Sequence, residues 1–301
     1  MNLAPLYLKA AVGAVGPRAS VLPDTVLDEE VSVDRDHLAE YSRVCGFAYG
    51  DVLPPTYAHL LTFGLQVRLM SGRDFPLPLP GLVHVANTIT AHRRLDAGEP
   101  LHVAVHAERF VGHPKGAQVD LVAEVDVRGE RVWDGRSTYL ARGAEAPPPA
   151  APTQPAAPTQ PAAPTQPAPP TQPAPGTREA PTPDLDGPAA AQWRVAGDTG
   201  LRYAAVSGDV NPIHLHPLTA RAFGFPRAIA HGMWTAARAL AALQGRVPDA
   251  LTYDVAFGRP LLLPSTVELR TRALDGGWVL DVRSRSGTHL TATAGSPHLT
   301  A

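Results

Sequence analysis

Two hydrophobic patterns follow one another along the chain, and the pair occurs twice. Several segments alternate apolar and polar positions, as 266–274 (TVELRTRAL) does, and a period of two predicts β-strands. The predicted strands are 81–92, 101–111, 117–127, 131–141, 251–257, 266–274, 278–284 and 289–295. Each group of four follows a long apolar segment, at 55–70 and 231–245, which is typical of a buried helix. The pattern predicts an α+β fold in which antiparallel strands wrap a central helix.

The two groups belong to copies of one unit. When the chain is shifted by 162 positions against itself, 41–46 (YSRVCG) falls on 203–208 (YAAVSG). Both segments lie in a short predicted helix that precedes the long one and has an aspartate as a plausible N-cap. Two copies in one chain predict a pseudo-dimer, with halves at 1–146 and 189–301. Whether the chain also forms a homodimer stays open.

A proline-rich segment separates the halves. Residues 147–188 hold 16 of the 33 prolines, and the motif PTQPAA recurs there every six residues. Proline lacks an amide donor, and this segment has no apolar face to bury, so an extended, polyproline-like linker is expected. The alternative is a docking site for a proline-recognition module.

Composition narrows the class of protein. The net charge is −2 with both signs scattered, so no basic stripe suggests nucleic-acid binding. The single Cys45 excludes an internal disulfide framework and a thiolate metal cluster, and it fits a reducing cytoplasm. No apolar run reaches the roughly 20 residues of a membrane span. Because Lys9 lies inside the first apolar run, 1–16 is expected to open a soluble domain and not to be a signal peptide.

Polar chemistry concentrates in 207–217, SGDVNPIHLHP. The same shift of 162 sets three residues of this stretch against apolar or aromatic ones: Asp209 against Phe47, Asn211 against Tyr49, and His214 against Val52. The segment 215–230 has no counterpart in the first copy. A polar set kept in one copy and replaced in the other predicts a single working site, in the second half.

The segment 203–235, YAAVSGDVNPIHLHPLTARAFGFPRAIAHGMWT, resembles the hydratase-2 motif of the MaoC-like, R-specific enoyl-thioester hydratases and dehydratases. That motif runs S-x-D-x-N-P-x-H, a short helix, and a buried helix opening with H-G-M. The first half is similar to the degenerate half of double-hotdog members through 53–61 (LPPTYAHLL) and 75–87 (FPLPLPGLVHVAN). The resemblance implies a double-hotdog fold, a thioester substrate on CoA or acyl carrier protein, and neither metal nor cofactor. The long linker departs from it.

The resemblance also implies roles for the polar residues. Asp209 would be the principal base, and His214 would hold the water and share its proton. Gly232 begins the buried helix, where free amides and positive partial charge could form an oxyanion hole. Four residues are expected to support these groups: Tyr203, Ser207, Asn211 and His231. Asn211 would do so by holding the turn through side-chain-to-backbone hydrogen bonds.

Other polar residues near the motif leave alternatives open. His214 and His216 form H-x-H, but no third ligand at metal spacing is evident, so His216 is expected to be an exposed bystander. Three arginines could meet substrate phosphates or be solvated cations: Arg221, Arg227 and Arg259.

The leading interpretation is a hydro-lyase that reversibly converts a trans-2-enoyl thioester and water into a (3R)-3-hydroxyacyl thioester. A hotdog thioesterase is one alternative, but such enzymes commonly carry a carboxylate on the central helix, and neither 55–70 nor 231–245 contains Asp or Glu. A non-catalytic acyl-thioester-binding subunit is the other, against which the intact Asp209 and His214 argue.

Overall fold

The computed structural model describes Leu3, residues 5–7, 18–147, Leu185 and 187–297. The predicted linker at 147–188 lies almost wholly outside these residues, as does most of the segment 1–16. No helix among the described residues is both long and apolar enough to cross a membrane.

One sheet and two long buried helices form the core. The strands are β1 Leu27–Val31, β2 Leu82–Ala91, β3 Leu101–His113, β4 Gly116–Val127, β5 Glu130–Arg142, β6 Ala191–Val195, β7 Leu251–Phe257, β8 Ser265–Leu274, β9 Gly277–Ser284 and β10 Gly287–Gly295. The helices are α1 Arg35–Cys45, α2 Pro55–Ser71, α3 Thr199–Ser207, α4 Pro212–Leu215, α5 Pro217–Ala222 and α6 Gly232–Ala241. All eight strands predicted from the alternation are present, and β1 and β6 are the short strands that the sequence also predicts before the short helix of each half.

The sheet shows the pseudo-symmetry of the two copies. Its ten strands follow the order β1-β3-β4-β5-β2-β7-β10-β9-β8-β6, so each copy supplies five strands in equivalent places. The halves join where β2 pairs antiparallel with β7, from Ala86 opposite Ala256 to Ala91 opposite Leu251. The two copies therefore share one continuous hydrogen-bonded sheet.

The central helices differ in length. Helix α2 is buried on nearly every side and begins at Pro55, where a missing amide costs no helical hydrogen bond. Helix α6 ends at Ala241, four residues before the predicted end. There the chain tightens into three-residue turns, with the Leu243 amide bonded to the Leu240 carbonyl and Gly245 at φ 76°.

The short helices bring the polar stretch to the core. Helices α1 and α3 end at Gly46 and Gly208, both left-handed with φ 82° and 70°, and these glycines are 162 positions apart. Tyr41 and Tyr203 are buried with ring centroids 6.5 Å apart. After Gly208 the chain turns back toward the first residues of α6, which positions the candidate site.

Candidate active site

A cavity of about 180 Å³ lies between the halves and is lined by residues of both. The second half contributes Asp209, His214 and Gly232, and the first half contributes His59 and Tyr139. The polar stretch therefore faces this cavity next to the start of α6.

Asp209 is held by its own turn and by one distant side chain. Its amide donates to Ser207 Oγ at 3.1 Å, and its Oδ1 accepts from the Asn211 amide at 3.1 Å. The hydroxyl of Tyr7 donates to the same Oδ1 at 2.7 Å. With Oδ1 occupied, Oδ2 is the oxygen left for a reacting molecule.

His214 lies on α4, which Pro212 starts and Asn211 caps through a 3.4 Å bond from the Ile213 amide to Asn211 Oδ1. Its Nδ1–H donates to the Ile229 carbonyl at 2.8 Å, so the neutral ring keeps its lone pair on Nε2. Gly200 makes this placement possible, because a Cβ there would lie 2.0 Å from the His214 carbonyl oxygen.

His231 packs behind both groups. Its Nε2 donates to the Asp209 carbonyl at 3.0 Å and lies 3.7 Å from Asp209 Oδ2. Its ring stacks on His214 with centroids 3.7 Å apart, and the Tyr203 ring lies 4.9 Å away. His231 therefore fixes the carboxylate and the second imidazole relative to each other.

Burial and neighbouring groups together set the charge states of the three residues. Burial acts to raise the pKa of Asp209, but His231, His214, the Tyr7 hydroxyl and the Asn211 amide outweigh it, so this pKa lies below its ordinary value. Burial lowers the pKa of His214, and it lowers that of His231 to about 3. At neutral pH the site holds a carboxylate beside neutral imidazoles, which suits proton abstraction.

Gly232 is the first residue of α6, and its amide is among those that a helix start leaves without an intrahelical acceptor. A side chain there would crowd the cavity, since a Cβ would approach the Phe257 ring to 3.0 Å. A carbonyl oxygen near this amide would sit in the positive field of the helix terminus.

Asp209, His214 and His231 have ligand atoms within 4.8 Å of one another, the spacing of a candidate metal site. Each imidazole uses one nitrogen on a backbone carbonyl. The rings also stack face to face at 26°, an arrangement that does not direct two lone pairs at one ion. Proton transfer fits this geometry better than metal binding does.

All seven predicted site residues meet at this cavity or directly behind it. His216 is exposed and caps α5 by accepting from the Leu218 amide at 3.1 Å. All three arginines, Arg221, Arg227 and Arg259, are exposed, and Arg259 also borders the cavity.

The polar cavity residues that sequence reasoning missed include Tyr7, His59 and His84. Nothing local to Tyr7 marks it, because its partner Asp209 is 202 positions away. His59 did carry a signal, since it is a titratable residue inside a helix that is otherwise apolar on nearly every side.

The equivalent region of the first half forms a second cavity, of about 330 Å³, lined by Phe47, Val52 and Pro55 among others. The constant shift set Val52 against His214, but the structure gives Val52 a different counterpart. Val52 and Ile229 each make an isolated bridge just before a central helix. Helices α4 and α5 thus have no equivalent in the described first half, and His214 has no replaced partner there.

Comparisons with known proteins agree with this architecture. Residues 183–292 match the MaoC like domain. The chain is 39% identical over 303 residues to 3-hydroxyacyl-thioester dehydratase X of Mycobacterium tuberculosis, covering 98% of this chain and 95% of that protein. The crystal structure of HtdX of Mycobacterium tuberculosis superposes with a TM-score of 0.72 at 36% identity, over 90% of this chain and 99% of that one.

A third comparison bears on the fold alone. A Mycobacterium tuberculosis protein described as a double hotdog superposes with a TM-score of 0.52 at 15% identity, over 90% of this chain and 95% of that one. The predicted double-hotdog fold is therefore confirmed. Since the full-length relative is well above 30% identity, the chain belongs to the MaoC-like dehydratase family.

Proposed function

We propose that this protein reversibly hydrates trans-2-enoyl thioesters to (3R)-3-hydroxyacyl thioesters, with Asp209 and His214 as the acid–base pair. The observation that carries the proposal is one cavity that holds a carboxylate, a neutral imidazole with a free Nε2, and a helix N-terminus. The name of the full-length relative, a 3-hydroxyacyl-thioester dehydratase, supports the same chemistry.

In the hydration direction, a water held between Asp209 and His214 Nε2 loses a proton to the carboxylate. Its oxygen bonds to C3 of the enoyl group, and the π electrons move onto the thioester oxygen. The Gly232 amide and the α6 terminus stabilise this enolate. The proton on Asp209 then passes to C2, which restores the carboxylate and completes the addition of water across the double bond. Dehydration runs the same steps in reverse.

We also propose a division of labour between the halves. The C-terminal half, 189–301, would carry the chemistry, and the N-terminal half, 1–146, would enclose the acyl chain through apolar residues of α2 such as Leu60, Phe63 and Met70. The segment 147–188 would be the linker. The thioester would be carried on CoA or acyl carrier protein. The free and buried thiol of Cys45 fits the cytoplasmic location that the composition predicts.

The test is an assay of purified protein on trans-2-enoyl-CoA substrates of several chain lengths, following loss of the conjugated-enoyl absorbance. Asp209→Asn and His214→Gln should each lower kcat by at least about 100-fold, the usual contribution of a positioned acid or base. His216→Asn is the matched control, because it changes a histidine two residues away that is exposed and keeps a capping side chain.

The control should retain wild-type activity. Absence of turnover by wild type on CoA and acyl-carrier substrates of every length would refute the function. Full activity in Asp209→Asn and His214→Gln would refute the assignment of the site.

A further inference from the structure

Two imidazoles of the first half line the same cavity and have no part in the acid–base chemistry. His59 comes from α2 and His84 from β2, and their rings stack with centroids 6.2 Å apart. The His84 ring also stacks on Tyr139 at 4.6 Å. The pair is thus fixed in position by aromatic contacts.

Each ring has a nitrogen without a partner. Within the described chain, His59 Nδ1 and His84 Nε2 are buried and make no hydrogen bond, and His59 as a whole is 3% exposed. Buried polar atoms are nearly always hydrogen-bonded, and an unpaired one destabilises the fold. His231 Nδ1 in the acid–base site is also without a partner, and the two further nitrogens on cavity residues of the first half indicate that a ligand supplies partners outside that site as well.

The charge state limits what that ligand can be. Burial lowers the pKa of His59 to about 4 and that of His84 to about 3, so both rings are neutral at neutral pH. Apolar side chains surround them on the cavity wall, including Leu60, Phe63 and Leu82. The two arginines that line the cavity, Arg142 and Arg259, are exposed, so a carboxylate or phosphate held by the buried neutral rings would lack a buried counter-charge. A neutral hydroxyl or carbonyl oxygen would bond to either ring without that cost.

The burial of His59 indicates which part of the substrate would contact the two histidines. The carrier arm of a thioester must reach the surface, whereas His59, on the buried helix α2, is 3% exposed. The group that meets it is therefore on the acyl side of the thioester.

We propose that His59 and His84 form a polar subsite for a neutral oxygen, a ketone or hydroxyl, on the acyl chain beyond the reacting carbons. This rests on the proposed function and adds a substrate class to it: oxygenated acyl thioesters. A plain hydrocarbon chain would leave both nitrogens unpaired, and a site built to bond an oxygen discriminates against a substrate that lacks it.

The experiment compares trans-2-enoyl-CoA substrates of equal length. One is the hydrocarbon parent, and in the others a carbonyl replaces one methylene at successive positions beyond C3. Wild type should prefer one keto substrate over the parent by about 10-fold in kcat/KM, the value of one hydrogen bond. His59→Leu and His84→Leu should each reduce that preference to near unity, and His59→Asn should restore part of it.

Leu60→Val is the matched control, because it changes an apolar residue of the same wall and should affect keto substrate and parent equally. The proposal is overturned if wild type prefers no keto substrate, or if the histidine variants lower both substrates by the same factor. If the parent is turned over in either case, the proposed function stands while the subsite fails.

A binding measurement decides the matter without histidine variants. In Asp209→Asn with labelled histidine ring nitrogens, a saturated keto-acyl-CoA should shift the NMR signals of His59 and His84 more than its hydrocarbon analogue does. Equal shifts would overturn the subsite. This comparison is valid even if no enoyl thioester is turned over, an outcome that would overturn the proposed function alone.

Discussion

The Tyr7–Asp209 hydrogen bond offers a sharp test of how the site sets its base. The Tyr7 hydroxyl donates to Asp209 Oδ1 over 2.7 Å. Burial, followed by the nearby Asp209 carboxylate, raises the pKa of Tyr7 well above its ordinary value, so the hydroxyl remains a donor throughout the working range. Tyr7→Phe removes this donor and keeps the ring.

The direction of the pKa change in Tyr7→Phe follows from the role of the Tyr7 hydroxyl as a donor. The hydrogen bond stabilises the ionised carboxylate, so its loss raises the pKa of Asp209, and activity in the hydration direction declines at a higher pH than in wild type. A hydrogen bond to a charged group contributes about 1.5–3 kcal/mol. Asp209 keeps the Asn211 amide, and its side chain is 23% exposed to replacement water, so the lower value is expected.

A loss of about 1.5 kcal/mol raises the pKa of Asp209 by about one unit. Below the wild-type pKa of Asp209, kcat/KM should therefore fall roughly 10-fold, whereas on the plateau at higher pH it should change much less. The assay is kcat/KM for enoyl-CoA hydration measured across pH. Tyr139→Phe is the control, since it removes another buried hydroxyl from the same cavity wall. An acid limb of Tyr7→Phe that superimposes on wild type, or an equal displacement in Tyr139→Phe, would refute the reasoning.

Three further predictions concern the scaffold. Gly200→Ala should lower kcat and destabilise the fold by about 1–3 kcal/mol in denaturant unfolding, since its Cβ would displace the His214 backbone, whereas Gly197→Ala, with 3.9 Å of room, should do neither. Cys45 should react with a thiol reagent only on unfolding, because burial raises its pKa to about 12; rapid labelling of native protein would contradict this. Asp120→Ala should lower stability by about 1–3 kcal/mol with little effect on kcat, because the side chain of Asp120, 2% exposed, pairs with two arginines that are about a third exposed and can be resolvated; an unchanged melting temperature would count against it.

Periodicity predicted most of the fold because the strands have one buried face and the central helices are buried all round. Those patterns are local, so the eight strands and the start of both central helices could be read from short windows. The end of α6 could not be predicted in this way, because the apolar residues through Leu243 fit a continuing helix as well as the tight turns that the chain forms there.

The site was predictable only where its residues belong to one sequence segment, 203–235. Asp209 and His214 share one turn and stood out as a polar cluster. Tyr7 and His84 reach the same cavity from an N-terminal segment and from β2, and only the assembled sheet brings them together. At Val52 the sequence suggested an equivalence that the structure does not have. A constant shift aligned Val52 with His214, but Val52 and Ile229 make the corresponding isolated bridges, to Asp96 and to Leu262.

That correction explains why only one half would have acid–base chemistry. The carbonyl that fixes the His214 tautomer belongs to Ile229, whose counterpart Val52 is present in the first half, but α4, which carries His214 itself, has no equivalent there. The first half also begins its central helix with Pro55, which has no amide hydrogen to offer an enolate where the second half has Gly232. Phe47 follows Gly46 as Asp209 follows Gly208, so the first half has an aromatic residue at the equivalent position. An acid introduced at position 47 would therefore leave the second cavity without a positioned imidazole and without a donor amide at the first helical position.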